Sequence, residues 1–144
     1  MWTTQYEATT TSGPEAVWAA IEALHSGVAL GPLSDGFELH GPFAVGTTLT
    51  VTPQGQDPMS SEIIELDAER VYADRTTFGE LSLVFRHRLE PTSGGGTRVV
   101  HSLEIDGGGA DEVGPQLGPQ ISADFPDGMA ELFAAAERGV RVGS

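Results

Sequence analysis

Two histidines, His87 and His101, are the residues of this sequence best placed to do chemistry. They lie in two runs, 81–91 (LSLVFRHRLEP) and 97–107 (TRVVHSLEIDG), in which apolar and polar residues alternate with a period near two. Such alternation is typical of half-buried β-strands, and the Gly-rich TSGGG between the runs predicts a hairpin turn. With the turn centred on Gly94, the two histidines face each other across the hairpin. They share their face with leucine, valine, isoleucine and phenylalanine, so we expect that face to point inward.

Proton transfer inside an apolar pocket is the chemistry that such a pair suits. Imidazole both accepts and donates a proton near neutral pH. An aldol cyclisation removes a proton from a carbon next to a carbonyl group and delivers another to an oxygen. Burial would lower the pKa of both rings, and repulsion would prevent both from being charged together. The alternative is a pair of neutral core histidines, hydrogen-bonded to each other or to water, with no chemical role.

Asp74 is a third candidate, in the preceding run RVYADRTTF (70–78), which reads as another strand. If the tight connection at Gly79 sets the register, Tyr72 faces His87 and Asp74 lies one diagonal step from that histidine. The predicted catalytic residues are therefore His87, His101 and Asp74.

Asp74 would orient one histidine or hold it protonated. The alternative is a strand carboxylate near the sheet edge, exposed or paired with Arg75 or Arg86. Two imidazoles alone are an incomplete metal site, although adding the carboxylate gives a set of the type that binds non-haem iron. We predict neither a metal nor a cofactor.

Apolar residues on the same inner face, and on a C-terminal helix, are candidates for lining a ligand cavity. Each of them is equally compatible with an ordinary packed core. The predicted ligand-binding residues are Tyr72, Thr76, Phe85, Phe43, Phe125, Met129 and Phe133.

The remaining elements position these residues. Alternation predicts strands at 2–10, 37–43, 46–53 and 60–67, and helical spacing of apolar residues predicts helices at 15–25 and 121–139. Ser12 and Glu15 form a capping-box pattern before the first helix. Segment 106–120 is rich in Gly and Pro and is expected to be irregular. Strands in succession with helices at the chain ends predict the α+β class.

Composition restricts the function. The chain has 144 residues, no cysteine and a formal charge of −14, from 21 acidic and 7 basic residues. Its size suits a single domain over 1–144. The absence of cysteine excludes disulfides and thiolate chemistry. The acidic charge argues against nucleic acid and anionic membranes as partners. No signal-like or membrane-spanning run is seen, so we expect a cytoplasmic protein, monomeric or homodimeric.

Several phrases, in order, resemble the Bet v 1-like, START-related superfamily, in particular its polyketide cyclase/dehydrase branch. They are PEAVWAAIEAL, GPFAVGTTL, FRHRLEP, GGGTRVVHSLEIDG and PDGMAELFAAAERG. The resemblance implies a helix-grip fold, in which a curved seven-stranded antiparallel sheet wraps around a long C-terminal helix. It also implies a hydrophobic small molecule as partner. Some members catalyse cyclisation and dehydration, others only bind or carry a ligand, and Hsp90-activator-like relatives bind a protein. Superfamily members share no single catalytic set, so all three functions stay open.

Overall fold

The computed structural model describes residues 1–144 as a seven-stranded antiparallel sheet with three helices. The strands lie in the order β1-β7-β6-β5-β4-β3-β2, so the first strand pairs with the last. The α+β class and the curved helix-grip sheet are confirmed. The elements are β1 Trp2–Thr10, α1 Pro14–His25, β2 Gly36–Leu39, β3 Thr48–Thr52, β4 Met59–Asp67, β5 Val71–Phe78, β6 Leu81–Pro91, β7 Thr97–Gly107, α2 Ala110–Ser122 and α3 Phe125–Arg138.

The central hairpin β6–β7 has the predicted register, with His87 opposite His101. The register between β5 and β6 is confirmed as well, since Tyr72 pairs with His87 and Asp74 with Phe85. Both registers follow from alternation, because a slip of one residue would turn the apolar set outward.

Helix α1 begins at Pro14, with Gly13 as its N-cap and no side-chain cap hydrogen bond. The predicted capping box of Ser12 and Glu15 is therefore wrong, because Ser12 lies one residue before the cap. The carbonyl group of Ser12 instead accepts a hydrogen bond of 2.8 Å from the Thr97 hydroxyl group. This contact ties the entry of α1 to β7.

Helix α2 corrects the expectation of an irregular segment at 106–120. It is helical despite Pro115 and Pro119, each of which removes one backbone hydrogen bond. On its buried face, Gly114 and Gly118 pack so closely on the Trp2 indole that a Cβ atom at either glycine would overlap it. Packing against Trp2 therefore stabilises a helix that local propensity disfavours.

The C-terminal helix is bent into two segments, α2 and α3. Asp124 is the N-cap of α3 without a side-chain hydrogen bond, and Pro126 lies in the first turn. The larger apolar cluster joins α1 and α3 to the sheet, and a smaller one joins α2, β6 and β7 around Leu103 and Phe125. None of the helices is long and apolar enough to cross a bilayer.

Candidate functional site

A row of four rings crosses the inner face of the sheet. Tyr6 pairs with His101, His101 with His87, and His87 with Tyr72, on the adjacent strands β1, β7, β6 and β5. We call these four residues the ring row. Because side chains alternate along each strand, residues directly opposite one another share a face. Four adjacent strands thus each contribute one ring to a single row on the inner face.

The two histidines of the ring row are stacked. Their ring centroids are 3.9 Å apart at an interplanar angle of 18°, and Phe125 covers the other face of His101 at 3.8 Å and 21°. Ring nitrogens bond in the ring plane, so stacked imidazoles do not hydrogen-bond to each other or chelate one ion. The alternative of a mutually hydrogen-bonded pair is therefore wrong. The structure also brings no three His, Asp or Glu side chains together in a metal-binding group.

His87 carries a buried nitrogen, Nδ1, that has no hydrogen-bond partner. Burial lowers the pKa of His87 well below its ordinary value, and repulsion from His101 and His25 lowers it further. Burial, with a contribution from His25, lowers the pKa of His101 to about 3. Both rings are consequently neutral at physiological pH.

His25, at the end of α1, joins the site and lies outside the set of predicted site residues. Its ring stacks on Tyr72 with centroids 4.0 Å apart and meets His87 edge-on at 6.1 Å. It is 3% exposed, and burial lowers its pKa to about 4. The available signal was its position four residues after Ile21, on the apolar stripe of α1.

Asp74 lies inside the protein, with 4% exposure, and accepts a hydrogen bond of 2.7 Å from the Tyr72 hydroxyl group. Burial raises the pKa of Asp74 to about 6, and the Tyr72 hydrogen bond partly opposes that rise. Burial and the neighbouring carboxylate raise the pKa of Tyr72. The surface alternative for Asp74 is wrong, since Arg86 pairs instead with Glu65 and Glu104 on the opposite face.

The other predicted ligand-binding residues differ in what surrounds their side chains. Phe43 stacks on Tyr72 with centroids 5.7 Å apart at 4°, which extends the aromatic surface beyond the ring row. Thr76 is occupied by a hydrogen bond of 2.5 Å with Ser61. Met129 and Phe133 belong to the larger apolar cluster, and Phe85 packs on the smaller one.

Three residues of the inner face keep some accessible surface. His87, His101 and Phe85 are half-buried although they point inward. Two depressions lie elsewhere, of about 760 Å³ near the β4–β5 turn and about 580 Å³ over the outward residues of β1, β6 and β7. Neither includes any ring-row residue.

No protein-family model matches the chain, and no curated protein sequence matches it. Solved structures do. The Zhui aromatase/cyclase from Streptomyces sp. R1128 is 16% identical, over 96% of this chain and 95% of that chain, with a TM-score of 0.75. A norcoclaurine synthase point mutant from Thalictrum flavum, in complex with a transition-state analogue, is 18% identical over 96% of each chain, with a TM-score of 0.69.

Ara h 8.0201 is 20% identical over 94% of each chain, with a TM-score of 0.61. Identities this low establish the fold, and the likeness spans nearly the full length of all three structures. The chain therefore has the Bet v 1-like helix-grip fold that the sequence resemblance predicts.

Proposed function

We propose that this helix-grip protein, as one domain over residues 1–144, binds a small aromatic molecule between the sheet and helices α2 and α3. The observation that carries the proposal is the ring of His87, which makes no hydrogen bond within the protein and lies in an otherwise aromatic surface. Buried polar groups in folded proteins nearly always have partners, so one without a partner calls for an explanation. A ligand that bonds to the other ring nitrogen, Nε2, would give this imidazole a purpose at that position.

The surroundings of His87 favour an aromatic ligand. Neutral, stacked rings offer apolar area and defined edges, and pockets for small molecules typically combine mostly apolar walls with a few polar groups. Two of the structures that share the fold are named as an aromatase/cyclase and a norcoclaurine synthase, which gives the proposal independent support.

A thermal-shift screen against aromatic polyketides, flavonoids, fatty acids and sterols tests binding. A ligand at 100 times its dissociation constant adds about 2.7 kcal/mol of stability, which raises the melting temperature by several degrees. We expect aromatic compounds to give the shift, and His87→Phe to reduce it. His40→Phe is the matched control, because His40 is exposed and bonded to Thr50. No shift with any class, or an equal loss in both variants, contradicts the proposal.

A second candidate function, cyclisation with dehydration, is favoured by the protonation behaviour of Asp74. A general base works best when its pKa lies near the operating pH. The pKa of Asp74, about 6, meets that condition, whereas that of His101, about 3, makes a weak base. Within the predicted trio we therefore assign proton transfer to Asp74 and hydrogen bonding to the two histidines.

The proposed reaction needs only proton transfer and carbon–carbon bond formation. The Asp74 carboxylate takes a proton from a carbon next to a carbonyl group, and the electron pair moves onto that oxygen as an enolate. The imidazole N–H of His87 donates a hydrogen bond to the enolate. The carbanionic carbon attacks a second carbonyl group of the substrate, and protonated Asp74 returns its proton to the resulting alkoxide, which becomes a hydroxyl group. Asp74 then takes the second proton from the same carbon, the electron pair forms the carbon–carbon double bond, and the hydroxide that leaves receives this proton from Asp74 and departs as water.

Replacing the carboxylate tests the chemistry separately from binding. Asp74→Asn keeps the shape of the side chain and the capacity to accept a hydrogen bond from Tyr72, so ligand binding should survive while turnover falls by at least about 100-fold. The readout is product formation from a poly-β-ketone substrate analogue. Undiminished turnover in Asp74→Asn contradicts the role of base, and leaves the binding proposal to its own test.

The interaction-module alternative requires a contiguous exposed apolar patch. The exposed large apolar side chains come from six segments of the chain, whereas the ring row lies on one face of the sheet and favours a ligand. They are Met1, Leu33, Val45, Phe78, Val113 and Val142.

A further inference from the structure

The geometry points to a ligand that carries both a hydroxyl group and a carbonyl oxygen on one small aromatic framework. The ligand hydroxyl group donates to Nε2 of His25, and its carbonyl oxygen accepts a hydrogen bond from Nε2 of His87. This inference rests on the proposed binding function and adds the polar pattern of the ligand and a third histidine to it.

The hydrogen bonding of His25 fixes which of its nitrogens carries the proton. Nδ1 lies 2.7 Å from the carbonyl oxygen of Ile21, which accepts hydrogen bonds only. Nδ1 is therefore the donor, and in the neutral ring Nε2 is left as an acceptor. No protein group bonds to Nε2 of His25. This nitrogen is not fully buried, so it retains accessible surface.

His87 has the opposite arrangement. Its Nδ1 is fully buried and has no partner. A buried N–H group without an acceptor is rarer in proteins than an acceptor left short of a donor, so the unpartnered Nδ1 is the bare acceptor. The proton of the neutral ring then lies on Nε2, which is not fully buried. His87 thus offers a donor at its accessible nitrogen, whereas His25 offers an acceptor at its own.

The two rings lie close enough to bind one molecule. Their centroids are 6.1 Å apart at an interplanar angle of 69°, so the edges of the two rings point in different directions. Both rings are also held in place, since His25 stacks on Tyr72 and His87 on His101. Fixed rings with opposite hydrogen-bonding character select for one donor and one acceptor on the ligand.

Imidazole ¹⁵N NMR of the free protein tests the proton positions before any ligand is added. The expected spectrum has a protonated Nδ1 in His25 and a protonated Nε2 in His87, with assignments from His25→Phe and His87→Phe. A protonated Nδ1 in His87 overturns the inference.

Three matched compounds test the ligand pattern by calorimetry. They are 7-hydroxy-1-tetralone, 7-methoxy-1-tetralone, which lacks the donor, and 5,6,7,8-tetrahydro-2-naphthol, which lacks the carbonyl oxygen. Each neutral hydrogen bond contributes about 1 kcal/mol, so the hydroxy-ketone should bind about fivefold more tightly than either relative. His25→Phe should remove the preference over the methoxy compound alone, and His87→Phe the preference over the naphthol alone. His40→Phe should keep both preferences.

The outcomes separate this inference from the proposed function. Equal affinity for all three compounds overturns the donor–acceptor pattern while the aromatic pocket stands. Preferences that persist in both variants overturn the assignment to His25 and His87. If none of the three compounds binds and the wider aromatic screen is also negative, the proposed function fails, and this inference fails with it.

Discussion

The two faces of the hairpin β6–β7 differ in how their polar groups are satisfied. On the outer face, Arg86 pairs with Glu65 at 2.9 Å and with Glu104 at 2.8 Å. Arg98 pairs there with Glu7 and, at 2.7 Å, with Glu90. On the inner face of the same strands, the stacked histidines include a buried nitrogen without any partner.

The difference shows where the hairpin has been shaped for something other than its own stability. A polar group on the outer face can always bond to water. A polar group on the inner face can bond only to whatever occupies the interior. Leaving such a group without a hydrogen bond costs about 1–3 kcal/mol of stability. The apolar residue of similar shape, phenylalanine, would avoid that cost. The inner face therefore has the character of a site, and the outer face that of a solvated surface.

The largest difference in stability is expected when a permanent charge is placed on the inner face and, separately, on the outer face. His101→Lys puts an ammonium group among rings and should destabilise the fold by about 3–5 kcal/mol, the range for an uncompensated buried charge. Ser102→Lys, one residue along on the outer face, should change stability by less than about 0.5 kcal/mol. Urea denaturation measures both. Similar losses in the two variants would contradict the assignment of the faces.

The next largest effect is expected in how the stability of the fold depends on pH. The folded-state pKa values of His25, about 4, and His101, about 3, lie below the ordinary 6.5, and that of His87 is lowered as well. As pH falls below 6.5 the unfolded chain gains these protons first, so stability is full above that pH and declines below it. Asp74 acts oppositely between pH 3.8 and about 6, since its folded pKa is raised.

Between pH 6 and 4 the three histidines lower stability as the pH falls, and the raised pKa values of Asp74, Asp35 and Asp124 partly offset that loss. His101→Phe removes one of these protons, so its stability should decline less steeply, by about 1.4 kcal/mol for each pH unit. His40→Phe should leave the slope unchanged. The measurement is urea denaturation at half-unit steps of pH, and an identical slope in wild type and His101→Phe would count against a buried neutral ring.

The contrast between inward and outward positions extends to glycines of the C-terminal helices. Gly118→Ala places a methyl group against Trp2 and should destabilise the fold by about 1–3 kcal/mol. Gly128, in α3, has open space around its Cβ position, so Gly128→Ala should stabilise by about 0.4–1 kcal/mol. Thermal denaturation distinguishes them by the direction of the shift, and a gain in both would show that α2 does not press on Trp2.

The smallest effect is expected on the outer face itself. Glu104→Gln weakens one of the two ion pairs of the partly buried Arg86, whose partner Glu104 is itself partly exposed, so the loss should be at most about 1 kcal/mol. Repeating the denaturation in 1 M salt should shrink the difference, because exposed charges are screened. A loss above 2 kcal/mol that persists in salt would give the outer face a greater structural importance than the comparison assigns to it.

Sequence reasoning succeeds where one local pattern decides the structure. Alternation and turn chemistry were enough to place His87 opposite His101 and Asp74 opposite Phe85. It fails where distant elements meet. Helix α2 was missed because its Gly and Pro residues are locally unfavourable, and the packing of Trp2, more than 100 residues earlier, overrides them.

The candidate site was predicted in part for the same reason. The pairing of strands revealed the histidine pair but not its stacking, which depends on Phe125 closing over His101 from α3. His25 and Tyr6 belong to α1 and β1, and no local signal connects either element to the hairpin. The raised pKa of Asp74 depends on burial by neighbouring elements, whereas from sequence it was equally compatible with a surface position.

An NMR titration with 7-hydroxy-1-tetralone tests the central claim, that a ligand occupies the inner face, most directly. The protein is labelled to report ring carbons and imidazole nitrogens as well as backbone amides. We predict that saturating shifts concentrate on His25, His87 and Tyr72, while the outward residues Arg98 and Ser102 stay unchanged. Shifts confined to the outer-face depression that includes Arg98 and Ser102, or no saturable shifts at all, would contradict the claim.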